Sequence, residues 1–244
     1  MPGALVAFRP GCDDARVVTA DGGTPDVPEG EQRRAPAAVV FDALGAAYER
    51  AFAGSAAHGR SLAWLLGRLA PGSRVLDVGS GTGRPTAETL VRAGHQVLGV
   101  DVSPVMVELA ARQVPAASFR CADIREFPLD EGSFDAVCVY FALLQLDRAG
   151  QTAVLRRLTR ALRPGGHLVL ATVPLDVEAA EGVFLGQPVR VTSFPADALA
   201  AVAEGAGLEV LERTEDLFTP AHPRAVPEPH LFLHCRRRDA ARPA

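Results

Sequence analysis

Residues 75–84 read VLDVGSGTGR, and the fold is read outward from them. An apolar run holding one acid, Asp77, passes straight into three glycines, Gly79, Gly81 and Gly83. A buried strand that ends in a glycine turn and then starts a helix is the opening unit of a parallel α/β sheet. Glycine allows the tight turn and close backbone approach to whatever lies above it, and the helix start offers free N–H groups. Downstream, apolar runs predict strands over 96–100, 117–121, 134–140, 167–172, 209–217 and 230–236, besides 74–78 itself. Helices are predicted over 82–93 (with Pro85 in the first turn), 104–112, 150–162 and 195–206. Strands separated by helices imply right-handed crossovers, and the last two strands, joined by a proline-rich segment, pair antiparallel. The fold class is therefore α/β: a Rossmann-like, doubly wound, mostly parallel seven-stranded sheet with an antiparallel edge strand and helices on both faces.

Ahead of the sheet, VVFDALGAAYERAF puts Val40, Phe41, Leu44, Tyr48 and Phe52 on one stripe, and HGRSLAWLLGRLA does the same for Leu62, Leu65, Leu66 and Leu69. These form an N-terminal helical cap over 37–70 on a domain spanning 37–240. Residues 1–36 carry few large apolar side chains and read as a flexible tail. A chain of 244 residues, 48% hydrophobic, suffices for one such domain. Its net charge of −4 and pI near 5.9 argue against a nucleic-acid partner. All 25 basic residues are arginine, which excludes lysine chemistry. The four cysteines form no zinc spacing, and Cys121 and Cys138 read as buried thiols in strands. No apolar run approaches the roughly 20 residues of a membrane span. A soluble, cytoplasmic monomer or homodimer is expected.

The glycine spacing is G-x-G-x-G, whereas the dinucleotide fingerprint is G-x-G-x-x-G. Asp77, two residues before the turn, would repel a pyrophosphate and suits a ligand carrying positive charge. Both features count against a nicotinamide-dependent oxidoreductase. Asp101, ending the second strand, is placed to grip a ribose diol. Val102 and Met106 suit the faces of a purine, and Asp123 and Ile124, after the third strand, suit its amine and edge. Ser103 before Pro104 reads as a helix cap. Met106 and Tyr48 also fit ordinary core positions.

The runs VLDVGSGTG, GVDVSPVMVELA, CADIREFPL, SFDAVCVYFALLQL and LRPGGHLVLAT together resemble the successive motifs of class I S-adenosylmethionine (SAM)-dependent methyltransferases. The resemblance covers about residues 41–217. It implies that Asp77, Gly79, Ser80, Gly81, Thr82 and Gly83 surround the methionine part of the cofactor. It further implies that Asp101 holds the ribose, Val102 and Met106 flank adenine, and Asp123 and Ile124 meet its edge. The chain around Tyr140 and Phe141 would face the amino group and sulfonium. Tyr48 matches a tyrosine that closes over the cofactor in the small-molecule branch, and Arg60 is a candidate for the cofactor carboxylate.

The resemblance implies methyl transfer to a small-molecule acceptor by in-line displacement at an N, O or C nucleophile, and the arginine- and alanine-rich coding bias with the compact caps points to secondary metabolism. No dedicated base is required if the nucleophile arrives unprotonated. Catalytic candidates must lie at the C-terminal edge of the sheet, which removes His95 and His167. Tyr140, Asp176 and His58 remain, with Gln145 and Glu178 on the same side. No His–Asp pair or metal-ligand cluster is visible at that edge, so no metal is expected. Residues 174–194 form an insertion too long for an ordinary connection, with Phe184, Leu185, Val189 and Val191 as its apolar face, and read as a substrate lid. The proline-rich segment 216–230 supplies another wall. Two other readings keep the cofactor site: SAM as a cationic element in cyclisation or decarboxylation, and a non-catalytic SAM-binding partner protein.

Overall fold

A computed structural model describes residues 36–223 and 225–239. The tail expected over 1–36 lies outside the described residues except for Pro36, which begins the first helix. Seven strands form one sheet: β1 (Arg74–Val78), β2 (Gln96–Asp101), β3 (Ser118–Cys121), β4 (Phe134–Tyr140), β5 (Leu162–Thr172), β8 (Leu208–Phe218) and β9 (Glu228–Arg237). Their order is β3-β2-β1-β4-β5-β9-β8. β1 to β5 pair in parallel, and β9 runs antiparallel to both of its neighbours, β5 and β8. The strand order reverses between β1 and β4, so the crevice at their C-terminal ends is where this architecture binds ligands.

Both faces of the sheet are covered. Leu76, Val137, Leu168 and Leu233 face one core with Leu155 and Leu158 of α6 (Arg148–Ala161) and Leu199 of α7 (Ala196–Gly205). Val75, Ala136, Val169 and Phe232 face the other, with Leu62 and Leu65 of α3 (Ala56–Leu66) and Leu90 of α4 (Thr86–Arg92). Alternation along each strand follows from the two-residue side-chain period. No helix among the described residues is long and apolar enough to cross a membrane.

Several expectations are corrected. The first helix is two, α1 (Pro36–Leu44) and α2 (Ala46–Phe52), broken by Gly45 at φ 46°. The helix expected from residue 82 starts only at Thr86, because Gly81 and Gly83 hold left-handed backbone, at φ 52° and 80°, which no α-helix accepts. Cys121 is exposed rather than buried: β3 is a four-residue edge strand with one buried position, Phe119. Cys138 is buried in β4. The stretch read as a long connection after β5 is a two-stranded antiparallel hairpin, β6 (Val177–Phe184) and β7 (Gln187–Ser193), separate from the main sheet.

Arg148, the first residue of α6, fastens the base of this hairpin. Its guanidinium donates to the Ser193 carbonyl at 2.9 Å and to Asp176 Oδ1 at 2.5 Å, and it lies 5.0 Å above the Phe194 ring. The Asp176 pair is largely exposed and contributes little, whereas the carbonyl contact is half-buried. Arg148→Ala is therefore expected to lower unfolding free energy by about 1–2 kcal/mol, read by urea unfolding. A midpoint equal to that of the native chain would remove Arg148 from this role.

Candidate active site

The glycine turn is built from the ends of β1 and β2. The N–H groups of Gly79 and Ser80 donate to the Val100 carbonyl at 2.8 and 3.3 Å. Asp101 holds the rest of the turn: its Oδ2 accepts from Gly81 N at 2.9 Å and its Oδ1 from Ser103 N at 2.9 Å. Gly79 sits at φ 65°, and a Cβ there would overlap Ala142 Cβ. Above Gly81 there is open space: a Cβ there would have no neighbour within 4 Å. Gly83 instead faces the interior, where a Cβ would stand 3.1 Å from Phe119 and Val114.

Three adjoining cavities open over this edge, and Tyr48 and Phe141 line all of them. The first lies over β2, walled by Asp101, Val102, Met106, Ala122 and Ile124. The second is apolar and lies under the hairpin, walled by Phe41, Phe52, Leu175, Phe184, Val189 and Val191. The third, about 320 Å³, is the richest of the three in polar and charged groups and lies between the glycine turn and α3, walled by Asp77, Ser80, Thr82, Arg84, His58 and His230. Phe141 holds left-handed backbone at φ 57°, unusual for a bulky residue and common where a site is shaped.

Asp77 is buried at the floor of the third cavity, and its Oδ2 has no hydrogen-bond partner among the described residues. Burial, and then the neighbouring Asp101, push its carboxyl up to about 8. Burial also raises Asp101, against the backbone N–H groups that lower it. Ser80 Oγ is likewise buried and unpartnered among the described residues. A floor of uncompensated acceptors calls for a ligand that donates hydrogen bonds and carries positive charge.

The sequence candidates divide on placement. Tyr48, Asp77, Gly79, Ser80, Gly81, Thr82, Asp101, Val102, Met106, Ile124, Tyr140 and Phe141 all line the cavities. Ser103 caps α5 (Pro104–Gln113) by accepting from Met106 N at 3.0 Å, and its hydroxyl donates to Asp42 of α1. Gly83 lines none of the three. Asp123 does not either: Arg125 takes its carboxylate through both oxygens and holds it below the usual carboxylate range. Arg60 is 68% exposed and paired with Asp216 at 3.7 Å, and the guanidinium at the polar cavity belongs to Arg84.

The three catalytic candidates fare differently. Asp176 is 73% exposed and tied to Arg148, and lines none of the three cavities although its neighbour Leu175 lines the apolar one. The Tyr140 hydroxyl is hydrogen-bonded to Ser61 Oγ at 3.0 Å, which in turn meets His234 Nε2 at 2.9 Å, and burial keeps it protonated. His58 lines the polar cavity, hydrogen-bonded to Thr86 Oγ1 at 3.1 Å, and burial lowers it to about 4.

One buried His–Glu pair, not anticipated from the sequence, stands at this edge. His230 Nε2 and Glu228 Oε1 are 2.8 Å apart, both buried. Because β9 is antiparallel, its first residues, not its last, reach the C-terminal edge of the parallel strands. The signal is present in the sequence as E-P-H at the start of the final strand; it needs the strand's direction to be read.

A family model described as a methyltransferase domain matches residues 75–166. The chain is similar to methyltransferase GfsG of Streptomyces halstedii, 32% identical over 65% of this chain and 62% of that one. It is also similar to an O-methyltransferase of Penicillium expansum, 31% identical over 61% of this chain and 57% of that one. The chain thus spans less than two thirds of the length of these relatives. Among solved structures, it resembles a Burkholderia thailandensis 1,6-didemethyltoxoflavin-N1-methyltransferase with bound 1,6-didemethyltoxoflavin and S-adenosylhomocysteine. There the TM-score is 0.62 at 22% identity, covering 83% of this chain and 88% of that one.

Proposed function

We propose, from the premise that this chain carries a class I S-adenosylmethionine-dependent methyltransferase domain, that it transfers a methyl group from that cofactor to a small-molecule acceptor. The observation that carries the reading is the junction at Tyr48 and Phe141. On one side lies the polar cavity floored by the unpartnered Asp77 carboxyl; on the other lies the apolar cavity under the hairpin.

The residues fit the cofactor. Asp77 offers a buried acceptor to a cationic amino group, and Gly81 leaves open space beside it. Arg84 lines the same cavity but is engaged by Glu88 at 3.2 Å and Glu49 at 3.9 Å, so it would meet a carboxylate only by sharing its guanidinium with these acids. Asp101 would hold the ribose hydroxyls with the lone pairs left by its two N–H contacts, and Val102, Met106 and Ile124 would enclose the base. When bound, the cofactor supplies an electrophilic methyl on a sulfonium whose leaving group is already good. What the chain adds is placement. Tyr48 and Phe141 wall both spaces, so an acceptor in the apolar cavity, lined by Phe52, Phe184 and Val191, would lie against one end of the cofactor site. Orientation of this kind supplies about 7–11 kcal/mol of a barrier in favourable cases.

The relatives' descriptions as methyltransferases support the reading, and the apolar lining supports a modest-sized, partly hydrophobic acceptor. The test is incubation with methyl-labelled SAM and a panel of phenols, amines and thiols, with calorimetry of SAM binding beside it. Label in an acceptor together with S-adenosylhomocysteine is the expected result. A chain that fails to bind SAM, or that converts acceptors without forming S-adenosylhomocysteine, overturns it.

A further inference from the structure

We propose that Asp42 and Gln113 are positioning residues: they moor the N-terminal cap, α1 and α2, along α5, and so set the wall of the acceptor space relative to the methyl-donor site. The catalytic half of the proposal rests on the methyl-transfer reading. It goes beyond that reading in naming two residues on which acceptor binding depends although neither lines a cavity.

Three contacts spaced along α5 carry it. At its start, Ser103 Oγ donates to Asp42 Oδ1 of α1 at 2.5 Å. In its first turn, Val105 meets the break between α1 and α2, where a Cβ on Gly45 would stand 4.0 Å from Val105 Cγ1. At its end, Gln113 Nε2 donates to Glu49 Oε2 of α2 at 3.0 Å. Arg84 approaches Glu49 only to 3.9 Å, so Gln113 is the hydrogen-bonded partner of that acid among the described residues. The first and last contacts are hydrogen bonds to carboxylates, roughly twice as strong as those between neutral groups. They matter because the cap helices are short. α1 has nine residues and α2 seven, too few to persist in water without docking. The cap can therefore open while the sheet stays folded, as a local unit of low stability.

Both moorings lead to the proposed site. Ser103 is fully buried, and its N–H donates to Asp101 Oδ1 at 2.9 Å, while Asp101 Oδ2 accepts from Gly81 N at 2.9 Å. Asp42 is thus joined to the glycine turn through two residues. Its neighbour Phe41 walls the apolar cavity, and Val40 and Leu44 of the same helix pack with Val189 of β7. Glu49 follows Tyr48, which lines all three cavities. Loss of either mooring moves Phe41 or Tyr48 and opens the space where acceptor and donor meet. The turn and Asp101 belong to the body of the sheet and stay in place.

The experiment uses the full chain, and trypsin reads the cap without activity. Arg50, exposed on α2 and followed by buried Ala51, is the only trypsin site in residues 37–59. Cleavage of an element that opens and recloses quickly tracks its open population. Asp42→Ala and Gln113→Ala are each expected to speed cleavage after Arg50 about tenfold. The two residues touch opposite ends of a ten-residue helix, so the double variant should gain about 100-fold. Cleavage after Arg60 of α3 should not change. Asp42→Asn keeps an acceptor for Ser103 and should stay near the native rate. Gln113→Glu sets a second carboxylate against Glu49 and should exceed Gln113→Ala.

Methyl transfer is then measured with the phenol, amine or thiol that the native chain labels fastest. In the double variant its KM should rise about three- to tenfold, as fewer molecules hold a moored cap. The loss in kcat should be smaller, because saturating acceptor draws the cap back. A merely damaged fold would lose kcat at unchanged KM. Native-like cleavage after Arg50 in the double variant, or an unchanged KM despite fast cleavage, overturns the proposal and leaves methyl transfer standing. A native chain that binds no SAM or labels no acceptor overturns the methyl-transfer reading instead, and cleavage alone then decides the mooring.

Discussion

Asp77→Asn weakens SAM binding by roughly 10- to 150-fold, the equivalent of one buried hydrogen bond to a charged group. The carboxyl is buried, one oxygen lacks a partner among the described residues, and its pKa stands at about 8 through burial and the nearby Asp101. It is therefore largely protonated at pH 7 without a ligand, and a cation at that oxygen draws the proton off. Calorimetry in two buffers of different ionisation heat should show close to one proton released per SAM bound at pH 7 by the native chain, and none by the variant. The same shift fixes a stability effect. A carboxyl raised from about 3.9 in the unfolded chain to about 8 in the folded one contributes stability fully present below pH 4. That contribution is lost as pH rises through 8. Asparagine has no proton to lose, so the variant's melting temperature should gain on the native protein's across pH 4 to 8. Parallel curves would show that Asp77 does not titrate in this window.

Alanine at Gly79 and alanine at Gly81 should fail in different ways. Both glycines hold left-handed backbone, at φ 65° and 52°. At Gly79 the new methyl also overlaps Ala142, next to the strained Phe141, so strain and collision add. A loss of about 2–4 kcal/mol of stability is expected, read by denaturant unfolding. At Gly81 the methyl meets open space, and the folding cost is only the ~1 kcal/mol of left-handed backbone. That space is where the cofactor would lie, so Gly81→Ala should stay folded and lose SAM affinity. Retained affinity at Gly81 would move the cofactor away from the turn.

Much of this is legible in the residues. The bounds of β1 and β4 follow from their near-continuous apolar runs, the signature of strands buried on both faces. The turn, Asp77 and Asp101 follow from spacing. What spacing gives is reach, and what it leaves open is direction. Asp123 sits at the expected level of the sheet, yet its carboxylate turns to Arg125 two residues on. Arg60 has the right charge, but α3 points it outward to Asp216. The hairpin β6–β7 is hidden because VEAAEGVF is rich in alanine and glutamate, poor strand formers, and its pairing is supplied by the partner strand. His230 and Glu228 escape any reading that selects the C-terminal edge as if every strand ran the same way. For β9, antiparallel, the rule inverts.

The wall of the apolar cavity has a core of its own. Val40 and Leu44 of α1 and Val189 of β7 form a buried cluster with Phe41, Tyr48, Phe184 and Val191, and none of these residues belongs to the seven-stranded sheet. The two cores that sustain the sheet are built from other side chains. Changes at well-separated residues with no shared partners add nearly independently. Phe184, Val189 and Val191, which line only the apolar cavity, can therefore be resized one methylene or one ring at a time without drawing on the stability of the sheet, whereas Phe41 and Tyr48 also wall the proposed donor site. On the proposed reading, acceptor preference is the trait this architecture leaves freest to drift, and donor preference the one it keeps.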